Sequence, residues 1–235
     1  MNQAERSEMF PDRHVCMLFD RVSEIPELCA PKLEQIRRAD YRWVFISNGD
    51  DAPGAGGAAH LLAPDVCIDS ACLRMREVPI SVPSIIGRLR DVADAVTADG
   101  KRGTLFLIDM SWVLHTPSGI AHLGDFEAAL HQLTATSPIR CVCLYNKRFF
   151  PDAVILDVLR THPYVCCVQG LLSNPHFLPP QAYLSGDPAA QLRSWMATLG
   201  PAVSECWADQ TAAVDPAGAT PENKATPLAA KIPVQ

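Results

Sequence analysis

Several short apolar runs in this 235-residue chain end in side chains able to grip a small molecule. One run is followed by Asn48 and the acidic pair Asp50, Asp51. A second leads into Asp109, Met110, Ser111 and Trp112, and a third into Tyr145, Asn146, Lys147 and Arg148. Open α/β sheets bind ligands in the crevice beyond the carboxyl ends of their strands, so these positions are the ones to inspect. Asn48, Asp109, Trp112, Tyr145, Asn146 and Arg148 are the expected ligand-binding set. Trp112 and Tyr145 would supply apolar walls with a polar tip, and Asp109, Asn146 and Arg148 would orient a polar group. A plainer reading stands beside it: strand ends meet water in any such fold, and Asp109 with Arg148 would form a weak surface ion pair.

Other chemistries find less support. The run Gly54-Ala55-Gly56-Gly57 is followed by Ala58 and Ala59. A phosphate loop needs Lys to reach the phosphates and Ser or Thr to hold magnesium, so no nucleotide cofactor is expected. His115 with His122, or Cys67 with Cys72, lack zinc-finger or zinc-protease spacing, and no metal ligand is assigned. Cys16, Cys141, Cys143 and Cys167 could still converge across adjacent strands. There is no Gly-x-Ser-x-Gly, and spacing places no His beside any Cys, so no catalytic residue is assigned. The nine cysteines, an odd number without a Cys-x-x-Cys, read as reduced thiols.

The elements that would position these residues are legible as alternating patterns. His14–Phe19, Arg42–Ser47, Thr104–Asp109, Ile139–Tyr145 and Tyr164–Gln169 are rich in Val, Ile, Phe and Cys. Most are apolar on both faces, as strands of a parallel sheet covered on both sides are. Between them lie helical stripes. Ile85, Ile86, Leu89, Val92, Ala93 and Val96 form one, with Ser84 as its cap; Phe126, Ala129, Leu130 and Leu133 form another, with Asp125 and Glu127 in its first turn. Val154, Ile155, Val158 and Leu159 make a third, opened by Pro151 and Asp152 and closed before Pro163. Ser23 starts an earlier helical region that Pro31 divides in two. Residues 49–83 break the alternation and read as an excursion. The expected fold is a three-layer α/β sandwich around a mostly parallel sheet.

Composition bounds the partners. Twenty basic against 26 acidic residues give a net charge of −6, and no basic run or helix-turn-helix pattern is present, so direct nucleic-acid binding is not expected. No apolar run is long enough to span a membrane and the N-terminus does not resemble a signal peptide, which points to a cytoplasmic protein. Residues 1–12 and 208–235 hold too few large apolar residues to offset ordering entropy and read as disordered, leaving 13–207 as the folded domain.

The most distinctive segment runs from Arg140 to Leu184. It holds a strand ending Leu144-Tyr145-Asn146, a helix closing at Leu159-Arg160-Thr161-His162-Pro163, then Asn174-Pro175 and Phe177 before Pro179. This resembles the MEDS sensory domain of methanogens, methylotrophs and the dichloromethane-dehalogenase regulator. The opening strand from His14, HVCMLFD, is similar to the family's usual start, and Gly124-Asp125-Phe126-Glu127 to its helix with a Leu-Glu-type pair. The likeness covers roughly residues 13–183; Ile108-Asp109 stands where many relatives carry Gly-Glu. The resemblance implies a sheet similar to the RecA/KaiC ATPases, without a working phosphate loop, that senses small molecules. The expected function is a stand-alone, non-enzymatic regulatory domain that binds a small molecule or cofactor and signals through a separate signalling or transcription-regulatory protein. The rivals are a degenerate ATPase or small-molecule transferase using Asp109, and a ligand-free interaction scaffold.

Overall fold

A computed structural model describes residues 13–29, 38–49 and 58–198. The chain divides into two units, Met1–Thr198 and Leu199–Gln235, and every described residue belongs to the first. In chain order the elements are β1 (His14–Phe19), a helical stretch over residues 24–29, β2 (Tyr41–Ser47), α1 (Ala58–Leu62), β3 (Val66–Asp69) and a 3-10 turn at Ser70–Leu73. Then follow α2 (Val82–Val96), β4 (Gly103–Asp109), α3 (Trp112–His115), α4 (Gly119–Thr136), β5 (Ile139–Asn146) and α5 (Asp152–Thr161). The hairpin β6 (Tyr164–Cys167) and β7 (Gly170–Ser173) precedes α6 (Pro180–Ser185) and α7 (Pro188–Thr198).

The strands form one seven-stranded sheet in the order β3-β2-β4-β5-β1-β6-β7. Every neighbouring pair is parallel except β6–β7. All seven residues of β4 are buried, which requires cover on both faces of the sheet. One face packs Val44, Ile46, Phe106, Ile108, Cys141 and Cys143 against Ile85 and Leu89 of α2, Phe126 and Leu130 of α4, and Val154 and Val158 of α5. Fully burying a side chain such as Phe126 contributes about 1.5–3 kcal/mol. The other face packs Val15, Met17, Phe45, Leu107 and Leu144 against Ile25, Cys29, Ala58 and Leu62. Two separate cores on one sheet make the three-layer α/β sandwich expected from the strand patterns.

The boundaries differ from the expected ones in ways that matter for the site. Helix α2 begins at Val82 with Ser81 at its cap and Pro83 in its first turn, so Ser84 lies inside the helix. Helix α4 begins at Gly119, well before its apolar stripe, which puts Asp125 and Glu127 in the body of the helix instead of its first turn. The expected strand Tyr164–Gln169 is a hairpin, because Gly170, at φ +108°, lets the chain reverse after Gln169. Within the 49–83 excursion, Val66–Asp69 adds an edge strand parallel to β2. Gly54–Gly57, Pro31 and the segments 1–12 and 208–235 lie outside the described residues. No described helix is long and apolar enough to cross a membrane.

Candidate functional site

Strand β1 opens on His14, and the parallel register pairs His14 with Cys141 and Cys16 with Cys143. Side chains alternate along a strand, so His14, Cys16, Cys141, Cys143 and Tyr145 project from the same face, as the two-residue spacing of Cys141 and Cys143 requires. Helix α4 crosses that face and turns Glu127 inward beside the core residues Phe126 and Leu130. Helix α5 ends at Thr161, and His162 follows as its C-terminal cap. The His162 Nδ1 lies 2.9 Å from the Val158 carbonyl oxygen, which only accepts, so Nδ1 carries the ring proton and Nε2 faces Glu127. The Asn174 amide donates to the His162 carbonyl at 2.7 Å and to that of Leu159, tying the segment after β7 to the end of α5.

These elements bring together four side chains with little else in common. The Glu127 Oε2 lies 3.0 Å from His14 Nε2, 3.3 Å from His162 Nε2 and 3.6 Å from Cys143 Sγ. Cys143 Sγ lies 3.5 Å from His14 Nε2, and the two imidazole centroids are 4.1 Å apart. All four donor atoms fall within 4.8 Å of one another, and all four residues are buried. The Tyr145 hydroxyl donates to the second oxygen, Glu127 Oε1. Two ring nitrogens make no hydrogen bond, His14 Nδ1 and His162 Nε2.

An ionised carboxylate at this depth is costly unless it is paired. Burial alone would raise the Glu127 pKa, but His162 and His14 outweigh it and hold the carboxyl well below the usual range. Burial and then the neighbouring His162 lower His14 to about 4, despite its bond to Glu127. Burial, followed by the Glu127 charge, pushes both the Cys143 thiol and the Tyr145 phenol well above their usual values. At neutral pH the cluster therefore holds a carboxylate, a neutral His14, a thiol and a phenol. Two imidazole nitrogens, a carboxylate and a thiol are also the donor types that bind a transition metal.

Glu127, though itself fully buried, also borders a cleft. It lies at the floor of this cleft, of about 470 Å³, between α4, α5 and α6. Ile120, Leu123, Val154 and Leu184 give the cleft apolar walls, and Asp125, Asp157 and Tyr183 give it polar ones. Gly124 allows α6 to close over α4: a Cβ on Gly124 would sit 2.3 Å from the Tyr183 hydroxyl.

The sequence model of the MEDS family, the methanogen/methylotroph, DcmR sensory domain, matches residues 13–163. The chain belongs to the MEDS family. No curated protein and no solved structure matches it significantly. All four clustered residues lie inside the matched span, and the last of them, His162, is its penultimate residue. Helix α6 and its Tyr183 lie beyond it.

Of the six residues expected to bind ligand, the MEDS fold brings Tyr145 alone into contact with this cluster. The cleft over Glu127 is lined by none of the six. Asp109 pairs in register with Leu144 and so faces the opposite side of the sheet from Tyr145. The two do not share a crevice. The Asp109 carboxylate accepts the Ser111 amide at 3.0 Å in the turn that leads into α3. Asn48 is buried between Ser111 and Ser70, donating to the first and accepting from the second. Trp112 is buried edge-on against Phe126, with ring centroids 5.5 Å apart. The Asn146 side chain accepts the Arg148 amide at 3.1 Å, while Arg148 itself is exposed. Strand-to-helix turns use these polar groups locally.

Of the residues weighed as metal donors in the sequence, Cys143, one of four cysteines that could converge across strands, is in the cluster. His115, His122, Cys67 and Cys72 are not in the cluster, and the thiol with a histidine beside it is Cys143. That pair is 129 residues apart, out of reach of any spacing rule. The available signal was His14 at the head of an apolar strand and His162 at the helix end closing before Pro163, where a buried imidazole needs a partner.

Proposed function

We propose that this sensory domain holds a small molecule bearing amine or hydroxyl donors in the cleft over Glu127, and that a separate signalling or transcription-regulatory protein reads the occupied state. The observation that carries this reading is that a cleft of small-molecule size ends on Glu127, the shared partner of a buried polar cluster. Its lining includes the acidic residues Asp125 and Asp157, the latter held by Arg160 at 2.8 Å, and no basic residue, which favours donors over acceptors in the ligand. The apolar walls favour a short hydrocarbon part. Occupancy would bear on α6, the short helix that closes the cleft through Tyr183, and so reach the surface.

Calorimetric titration with a panel of small alkylamines and alcohols tests this, alongside native mass spectrometry of whatever copurifies. We expect saturable binding of an amine or alcohol, weakened at least ~10-fold by Asp157→Lys, a loss of about 1.4 kcal/mol. Asp157 is largely exposed, so the substitution leaves the core alone. Binding that ignores Asp157→Lys, or no binding across the panel, would sink the reading.

A further inference from the structure

The geometry points to a metal site: His14 Nε2, His162 Nε2, Glu127 Oε2 and Cys143 Sγ form a four-coordinate centre for a divalent ion of the zinc class. Tetrahedral coordination with metal–N and metal–O bonds near 2.0 Å and metal–S near 2.3 Å puts donors about 3.3 Å apart for N/O pairs and about 3.5 Å for pairs with sulfur. The observed separations are 3.0 and 3.3 Å from Glu127 to the two imidazoles, and 3.5 and 3.6 Å from the thiol to His14 and Glu127. Four of the six donor separations thus match a tetrahedral site, and the two others, both to His162, fall within 4.8 Å.

A second, independent observation concerns His162. Its Nδ1–H is committed to the Val158 carbonyl, and the fully buried Nε2 faces the cluster at 3.3 Å from Glu127 without making a hydrogen bond. With Nδ1–H committed to the backbone, Nε2 is the nitrogen left to bind a cation beside Glu127. An imidazole held by a backbone carbonyl through one nitrogen and free at the other is the usual arrangement of a metal-bound histidine. Asn174 fixes the backbone at this residue through the His162 carbonyl. Tyr145 plays the matching part for the carboxylate, holding Oε1 so that Oε2 points inward.

Charge and proton balance close. The ion brings two positive charges; Glu127 supplies one negative charge and Cys143 the other on losing its thiol proton to solvent. His14 moves its ring proton from Nε2 to Nδ1 and stays neutral. With both imidazoles neutral in the bound state, the buried centre carries no net charge, removing the cost of an isolated ion in the core, and metal uptake releases protons. Two imidazoles and a thiolate select zinc-class ions over magnesium and calcium, which prefer all-oxygen shells. The inference is independent of the cleft ligand: metal can bind with the cleft empty, and an amine can bind without metal.

The test uses the full chain purified without chelator. Elemental analysis should find close to one equivalent of zinc. After chelation, cobalt(II) should bind with one-to-one stoichiometry, with the strong visible bands of a four-coordinate site and a sulfur-to-cobalt band in the near ultraviolet. Cys143→Ser, nearly isosteric, should abolish the sulfur band, and His162→Gln should weaken cobalt binding by at least ~100-fold, the upper end of what losing a supporting contact costs. X-ray absorption at the zinc edge needs no variant, and should show one sulfur near 2.3 Å and three lighter atoms near 2.0 Å, within about 0.2 Å. Substoichiometric metal with no cobalt spectrum overturns the proposal and leaves a buried polar cluster around Glu127. A metal whose spectrum is unchanged by Cys143→Ser overturns it by placing the ion elsewhere.

Discussion

Glu127 is fully buried and ionised, and each group that touches it offsets part of the cost of taking a charge out of water. The Tyr145 hydroxyl is the one partner that can be removed without leaving a polar atom behind on its own side. A hydrogen bond to a charged group is worth about 1.5–3 kcal/mol, and a neutral one about 0.5–1.5 kcal/mol. We therefore expect Tyr145→Phe to destabilise the wild-type domain by about 2 kcal/mol, and by about 1 kcal/mol when Glu127→Gln is already present. Urea denaturation of the four proteins in this cycle measures both. Equal costs in the two backgrounds would mean that the phenol does not respond to the carboxylate charge. Both measurements belong on chelator-treated protein, so that metal linkage does not enter.

At the scale of elements, two glycines of α4 look alike in sequence and differ in what faces them. A Cβ on Gly119 would lie 2.3 Å from the Val113 carbonyl oxygen and 2.7 Å from the Val113 Cα, both backbone atoms of α3, whose exit turn leads into Gly119. That turn also holds the Gly119 amide against the Thr116 carbonyl at 2.8 Å. Neither side can give way, so Gly119→Ala should cost at least ~2 kcal/mol by shifting the start of α4. At Gly124 the clash is with the tip of a side chain, the Tyr183 hydroxyl, which can rotate away. There the helix propensity gained by alanine, about 1 kcal/mol, offsets the lost contact. Gly124→Ala should leave stability within about 1 kcal/mol of wild type while making Tyr183 more accessible, as quenching of its fluorescence or its nitration rate would report. A large loss at Gly124, or none at Gly119, would contradict these close approaches.

At the scale of the whole chain, the sheet, both cores and the clustered side chains lie between residues 13 and 198. The segment 208–235 contains no aromatic residue and few large aliphatic ones, so it has little apolar surface to contribute. Deleting it should leave the melting temperature within about 2 °C, since 1 kcal/mol moves a domain of this size by about 2–4 °C. A fall well beyond that would show that the tail packs on the domain. The membership of the MEDS family rests on the same span, residues 13–163, which ends one residue after His162.

Local pattern alone determined the layers of this protein. Short runs rich in β-branched residues and apolar on both faces read as strands covered twice, and stripes at helical spacing as the covering helices, so the sandwich was legible before any contact was known. The two-residue spacing of Cys141 and Cys143 likewise placed both thiols on one face. Which residues meet was decided by tertiary structure. The sideways register of β1 on β5 set His14 beside Cys143, and the same kind of register turned Asp109 away from Tyr145. Glu127 read as a first-turn carboxylate because its helix has no sequence signal at Gly119; the start is set by a backbone contact with Val113. Alternation is a property of one segment, whereas register and helix placement depend on how distant segments pack. The four donors come from β1, α4, β5 and the end of α5, so only the assembled sheet and its covering helices could bring them within bonding reach.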